Sequence, residues 1–283
     1  MVIDYSVFRF WMDESQQNRK VAIDRIYRYY AFLVNGLDMR FKTLPSATFT
    51  LGFVFSGIFI SESPQDSYWT ENNKLVTPSG ETKIESETSL AVFSNWVQNN
   101  TASLSYPDHT VLFTKYTLTK GGSSSIHGQA YLGAMCSSIS QSIVRDSFNS
   151  ITQTVAAHEI GHSLGAIHDG DQNQCNKTAF YIMSLSSGAQ LGDIARHPWI
   201  FSSCSVIEIK TVIDKLNNEG QNCLLITSSP KVVSTSQYIS RPIGQEFNID
   251  NQCQMMFGSS SYANRAKYKR DFRSICTGLW CST

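Results

Sequence analysis

At 283 residues the chain is long enough for one large domain, or for a domain with a small appendage. With 41% hydrophobic and 16% charged residues it can bury a sizeable core and is not a disordered chain. Lys plus Arg (23) balance Asp plus Glu (23), and a net charge of zero argues against nucleic acid or an anionic membrane surface as the main partner. The longest apolar run, residues 51–60, is broken by two glycines and is too short to span a bilayer. The start, MVIDYSVFRFW, shows no charged segment leading into an apolar stretch and a cleavage site. The chain therefore reads either as cytosolic or as beginning after a secretory leader.

Residues 12–44 carry a helical pattern, with Val21, Ile26, Tyr30, Leu33 and Leu37 near one face and Pro45 as the stop. Residues 48–60, rich in Phe, Val and Ile, are expected to form a central strand. Residues 61–87 read as a polar surface excursion, and residues 89–98 as a short amphipathic helix turning Leu90, Phe93 and Val97 inward. A second strand is expected over 110–118, a flexible loop over 120–125 and a third strand over 129–136. Helices follow over 147–164 and 203–216, so strands alternating with helices predict a mixed α/β domain. Beyond Cys223 the texture changes: 227–236 reads as a linker, and the tail to Thr283 has little apolar pattern and three cysteines. The expected division is a domain over 1–228, a linker over 229–236 and a cysteine-containing tail over 237–283.

The seven cysteines, Cys136, Cys175, Cys204, Cys223, Cys253, Cys276 and Cys281, include no CxxC pair, which speaks against a thiolate zinc site. Their wide spacing suits disulfides between distant segments, and the odd count leaves at least one unpaired. Asn99 in NNT and Asn176 in NKT fit the short glycosylation pattern.

One constellation dominates the chain: His158-Glu159-Ile160-Gly161-His162-Ser163-Leu164-Gly165-Ala166-Ile167-His168-Asp169. On a helix, His158 and His162 are four residues apart, project from one face and can meet one metal ion. Glu159 is rotated about 100° from His158, away from the ligand position but able to reach a water there as a general base. Gly165 permits a left-handed turn that ends the helix, and His168 then returns as a third ligand. Three neutral imidazoles leave a zinc position open for water, whose pKa falls to about 7. A bare HExxH arises readily by chance; the added glycine and histidine at fixed offsets lower that rate to about one in 10⁵.

The pattern HExxHxxGxxH is identified as the zinc signature of the metzincin metalloproteases. Met183, in Tyr181-Ile182-Met183-Ser184, resembles their methionine turn, and Asp169 after the third histidine resembles the adamalysin (reprolysin) branch. Other segments are similar to the same family: Asp38-Met39-Arg40-Phe41 with the run that follows, Tyr106-Pro107-Asp108-His109, Gly133-Ala134-Met135-Cys136 and Phe201-Ser202-Ser203-Cys204-Ser205. In the tail, Asn251-Gln252-Cys253 and Cys276-Thr277-Gly278-Leu279-Trp280-Cys281 look like the disintegrin-like module of ADAMTS proteases. The flavour is that of secreted salivary metalloproteases of ticks.

The resemblance implies a metzincin-type fold, with a mixed twisted sheet, long helices and a Met-turn, plus a short disintegrin-like tail. It implies a zinc endopeptidase in which His158, His162 and His168 hold Zn²⁺, Glu159 is the base, and Asp169 ties the zinc loop to the core. It implies disulfides Cys136–Cys223 and Cys175–Cys204, with the other three cysteines in the tail. A calcium site beside the termini is also implied, with Asp108, Asp4 in place of the usual Glu, and the carbonyl of Cys223 as ligands; Ile226 departs from the family there. An extended peptide from extracellular-matrix or host plasma proteins is the expected substrate, laid against the strand near 129–136, and a secreted monomer with no nucleic-acid partner is expected. Two rivals stand beside this: an adhesion-blocking binding protein acting through the tail, and an intracellular zinc peptidase with reduced cysteines. An intact Glu159 and the absence of an RGD tripeptide in the tail count against the first.

Overall fold

Two apolar residues at the start of the chain decide the layout of the main sheet. Val2–Ile3 (β1), both fully buried, lies between Phe59–Ile60 (β2) and Thr110–Thr114 (β5) and runs parallel to both. The computed structural model describes residues 1–44, 49–104, 107–186, 192–225, 247–268 and 280–283. Gln141–Arg145 (β8) pairs parallel with β5, and Gly128–Ala130 (β7) pairs antiparallel with β8, giving the order β2-β1-β5-β8-β7. β5 is buried along its whole length and β8 along four of five residues, as expected of parallel strands covered on both faces. A smaller sheet joins Lys74–Val76 (β3), Thr82–Glu85 (β4) and Thr117–Thr119 (β6), with β3 antiparallel and β6 parallel to β4.

Helices cover both faces. Tyr5–Glu14 (α1), Arg19–Phe41 (α2), Ser150–Ser163 (α5) and Ser203–Asn218 (α6) close over one core that contains Trp11, Tyr30, Phe41, Phe113 and Met183. On the other side, Tyr68–Glu71 (α3) and Ser86–Asn100 (α4) pack Trp69, Phe93 and Val97 against Leu112, Leu118 and Ile143. No helix among the described residues is long and apolar enough to cross a membrane.

Several elements differ from the sequence expectation for identifiable reasons. The helical pattern over 12–44 is two helices, because Gln16 and Gln17 adopt left-handed φ values of 51° and 61°, and Asn18 then caps α2 by accepting from the Val21 N–H. The strand expected at the sheet's centre over 48–60 is reduced to β2 at its edge, since β1 occupies the place beside β5; residues 45–48 lie outside the described set. The segment 61–87 is no surface excursion: Trp69 is fully buried, its ring 4.5 Å from that of Trp96 and 5.5 Å from that of Phe93. The strand expected over 110–118 divides into β5 and β6, which belong to different sheets. The linker over 229–236 also lies outside the described residues.

In the tail, Ile249–Phe257 (α7) packs on a small hairpin of Tyr262–Ala263 (β9) and Cys281–Ser282 (β10), closed by the Cys253–Cys281 disulfide. Cys276 lies outside the described residues.

Two buried carboxylates anchor the helices. Asp146 accepts from Tyr29 Oη at 2.8 Å, Tyr30 Oη at 2.6 Å, Thr152 Oγ1 at 3.1 Å and the Phe148 N–H at 2.8 Å, tying α2 and the first turn of α5 to the end of β8. Asp4 caps α1: its Oδ1 accepts from Ser6 Oγ at 2.5 Å and the Val7 N–H at 3.1 Å, and its Oδ2 accepts from Thr70 Oγ1 at 3.1 Å. Desolvation nonetheless pushes Asp4 up to about 6, outweighing those donors. Replacing Asp4 with Ala removes the cap and strands these donors, and urea unfolding is expected to show a loss of about 1–2 kcal/mol. An unchanged midpoint, or a deficit that appears only when millimolar calcium is present, would overturn the assignment of Asp4 as a cap.

Candidate metal centre

The HExxH segment is helical because Asn149 caps α5, its side chain accepting from the Ile151 N–H at 2.9 Å, and because the helix centre is a buried apolar run, Val155-Ala156-Ala157. The helix ends at Ser163. Gly165, at φ 93°, receives the chain, donating its N–H to the His162 carbonyl at 2.8 Å, and a Cβ there would lie 2.3 Å from Val212 Cγ2. Both the backbone conformation and the close approach of α6 therefore demand glycine.

That turn carries His168 back over the helix. Its Nε2 lies 3.2 Å from His158 Nε2 and 3.2 Å from His162 Nε2. Tetrahedral zinc with Zn–N bonds of about 2.0–2.1 Å separates its ligand nitrogens by about 3.3–3.4 Å, so the three rings fit such an ion. Two tautomers follow from backbone acceptors: His158 Nδ1 donates to the Ile182 carbonyl and His162 Nδ1 to the Ala166 carbonyl, each at 2.7 Å. With Nδ1 protonated, each Nε2 presents its lone pair to the common point. Desolvation holds His158 and His162 below the ordinary imidazole range, and each is further lowered by a neighbouring histidine, so the rings stay in the neutral form that a metal requires. Among the described residues these three side chains are the single cluster of His, Cys, Asp or Glu with metal-binding spacing.

Glu159 lines the same cleft, 4% exposed, with Oε2 lacking a hydrogen-bond partner. Desolvation raises its carboxyl to about 8. A bound cation beside it reverses that pressure and favours the carboxylate.

Behind the helix, Met183 is fully buried beneath Gly161, where an added Cβ would meet its Sδ at 2.6 Å. The Met183 carbonyl accepts from the Asp169 N–H at 3.0 Å, and Asp169 Oδ1 accepts from Ser202 Oγ at 2.5 Å, which links the returning loop to the start of α6. Disulfides Cys136–Cys223 and Cys175–Cys204 fasten the surrounding segments, the first across 87 residues and the second across 29.

Three features were not read from the sequence. Gly128, at the start of β7, has no room for a side chain: its Cβ would lie 2.5 Å from Glu159 Oε1 and 2.7 Å from Cγ. A glycine opening a short strand was the available signal. The acceptor carbonyls of Ile182 and Ala166 leave no trace in side-chain identity. The edge strand is also shorter than expected: β7 stops at Ala130, and the N–H groups of Gly133 and Met135 donate to the carbonyls of His162 and Ser163 on α5.

Of the calcium ligands that the resemblance implies, Asp4 and Asp108 both bond other protein groups. The Asp4 N–H pairs with the Phe113 carbonyl, whereas the Asp108 carbonyl accepts from Ser140 Oγ ahead of β5. Asp4 Oδ1 is engaged as the cap of α1, and Oδ2 accepts from Thr70 Oγ1.

Comparison with known proteins gives concordant results. The family described as "Reprolysin (M12B) family zinc metalloprotease" matches residues 67–227, and "ADAMTS cysteine-rich domain 2" matches residues 243–283. The chain is similar to a disintegrin and metalloproteinase with thrombospondin motifs, adt-1, of Caenorhabditis elegans, 32% identical over 63% of this chain and 12% of that protein. It is also similar to a disintegrin and metalloproteinase with thrombospondin motifs 19, at 30% identity for the Homo sapiens protein (68% of this chain, 15% of that one) and 28% for the Mus musculus protein (79% and 18%). The chain thus spans only 12–18% of the length of these relatives.

Metal analysis is expected to find about one zinc per chain in the wild type and less than about a tenth of that in His162→Ala. Chelation should lower the stability of the wild type only, by up to about 4 kcal/mol when free zinc had stood a thousandfold above its Kd, read as a drop in unfolding temperature. Equal zinc in both proteins would sink the three-histidine assignment.

Proposed function

Because the chain belongs to the reprolysin (M12B) family of zinc metalloproteases, we propose that it is an endopeptidase that hydrolyses an extended polypeptide in the cleft over α5, with residues 1–228 as the catalytic domain and 237–283 as a cysteine-rich appendage. The convergence of His158 Nε2 and His162 Nε2 on His168 Nε2, each at 3.2 Å, beside a buried carboxyl with an unpartnered oxygen, carries this proposal.

His158, His162 and His168 would hold zinc, which when bound supplies Lewis-acid polarisation of water and of a carbonyl. Glu159 accepts a proton from the attacking water as its oxygen bonds to the scissile carbon, and delivers that proton to the leaving nitrogen as the C–N bond breaks. The products are one carboxyl and one amine terminus, and Glu159 is regenerated. Gly128, by yielding its Cβ space, lets the Glu159 carboxyl lie against β7. Among the described residues β7 is the sheet's outer strand, paired with β8 alone, and its residues line the cleft. A substrate strand adding to that edge gains backbone hydrogen bonds irrespective of its sequence. All these groups come from one chain, which suits a monomer, and three disulfides suit an oxidising, extracellular setting. Substrates among matrix or plasma proteins belong to the same proposal.

Casein digestion tests it directly. Glu159→Gln should keep its zinc yet lose about 10²–10⁴-fold in rate. Gly128→Ala should also retain zinc but lower kcat more than it raises KM, because it displaces the base rather than the binding edge. A zinc-loaded wild type that cuts nothing, or a Glu159→Gln variant as fast as wild type, would refute the assignment.

A further inference from the structure

The chain holds two Asn-x-Thr triplets, at Asn99 and Asn176, and neither asparagine lines the cleft. The fold treats them differently. Asn99 lies in the last turn of α4, and its Nδ2 donates to the Asn95 carbonyl at 2.9 Å, one helical turn back. Residues two apart on a helix do not face each other, so Thr101 is turned away from the Asn99 amide. The amide nitrogen of Asn99 is engaged by its own helix.

Asn176 has the opposite arrangement. Its Oδ1 accepts from the Thr178 N–H at 2.9 Å and from the Thr178 hydroxyl at 2.8 Å. A backbone N–H can only donate, so the amide atom facing Thr178 is the oxygen. No protein group among the described residues engages the Asn176 Nδ2. Asn176, Lys177 and Thr178 are all exposed. The turn is held from both sides: the Asn176 carbonyl accepts from the Ala179 N–H at 3.0 Å, the Ala179 carbonyl accepts from His197 Nδ1 at 2.6 Å, and Cys175 is bonded to Cys204. Its inner side rests on Gly170, where an added Cβ would meet Lys177 Cβ at 3.0 Å.

We propose that Asn176 is a site of N-linked glycosylation and that Asn99 is not, the sugar coming from a lipid-linked oligosaccharide pyrophosphate. Nδ2 forms a bond to the anomeric carbon of the first sugar as the bond from that carbon to the pyrophosphate oxygen breaks. The lipid pyrophosphate leaves with the bonding electron pair, and one Nδ2 proton passes to a base of the transferring enzyme. An amide nitrogen is a weak nucleophile because its lone pair is delocalised towards the oxygen. Two donors on Oδ1 stabilise the negative charge that gathers there as the proton leaves. The triplet makes these contacts within three residues, so the reactive geometry forms locally, before the rest of the fold is complete. The proposal rests on the extracellular setting proposed above and not on the zinc chemistry. The glycan would stand clear of the histidines, as a hydrated cover beside the Cys175–Cys204 bridge.

The test is to secrete the full chain from insect cells behind a cleavable leader and treat it with a peptide N-glycosidase in heavy-oxygen water. That enzyme converts a glycan-bearing asparagine into an oxygen-labelled aspartate, which peptide mass spectrometry locates. Wild type is expected to carry the label at position 176 and none at position 99, and to show one downward gel shift on deglycosylation. Asn176→Gln and Thr178→Ala should lose that shift, whereas Thr178→Ser and Asn99→Gln should keep it. The wild-type peptide map decides the matter even where a variant fails to leave the cell. An unlabelled position 176 in secreted wild type, or a label there in Thr178→Ala, overturns the site. A label at position 99 as strong as that at position 176 overturns the distinction between the two triplets. Each of these outcomes leaves the protease assignment standing, and a glycosylated wild type that digests no casein overturns that assignment while supporting this one.

Discussion

Everything around the cleft serves one constraint: three imidazole lone pairs must point at the same place without being protonated or turned aside. Helix spacing brings only two rings together. Their orientation comes from the carbonyls of Ile182 and Ala166, each accepting an Nδ1–H at 2.7 Å. Both acceptors lie outside α5, one in the turn after the helix and one beside Met183. The metal-facing geometry is therefore set by backbone that returns to the helix from later in the chain, and distortion of either return would rotate a ligand ring.

The segments that make those returns are secured at several points. Gly165 provides the left-handed residue and the space for Val212. Asp169 holds the loop between the Met183 carbonyl and Ser202. Met183 fills the volume under Gly161, so the helix cannot settle onto the turn or drift from it. The Cys136–Cys223 bridge closes an 87-residue loop, which restricts the unfolded chain by about 4–5 kcal/mol in the chain-entropy account. On the opposite side, the buried Asp146 binds two tyrosines of α2 and the first turn of α5. Helix α5 is thus held at both ends before any ligand is considered.

Polarity is distributed unevenly along the cleft. Glu159 is deprived of solvent, with its carboxyl raised to about 8, and Gly128 leaves it space against β7. One turn earlier on the same helix, Thr154 Oγ1 accepts from the buried Arg40 guanidinium.

The helices and the histidine cluster were legible because they depend on short-range spacing. His158 and His162 share a face by helical geometry, and Gly165 marks the turn. The strands were less legible. Gln141–Arg145 is too short and too Ser-flanked to stand out, yet it sits beside the sheet's middle strand; the run before Ile60 is far more hydrophobic and contributes only an edge. Strand position depends on which segments compete for the places beside β5, and Val2–Ile3 takes one of them. Asp4, which the resemblance implies as a calcium ligand, is drawn inside by β1 and caps α1. The sequence by itself determined the donor set, its helical spacing and the family resemblance, since each is a local property of side-chain identity and backbone period. Only the tertiary structure decided the imidazole tautomers, the contact of Gly128 with Glu159 and the burial of Asp4 as the cap of α1. Those depend on which distant backbone and side-chain atoms share a volume, and no local pattern encodes that.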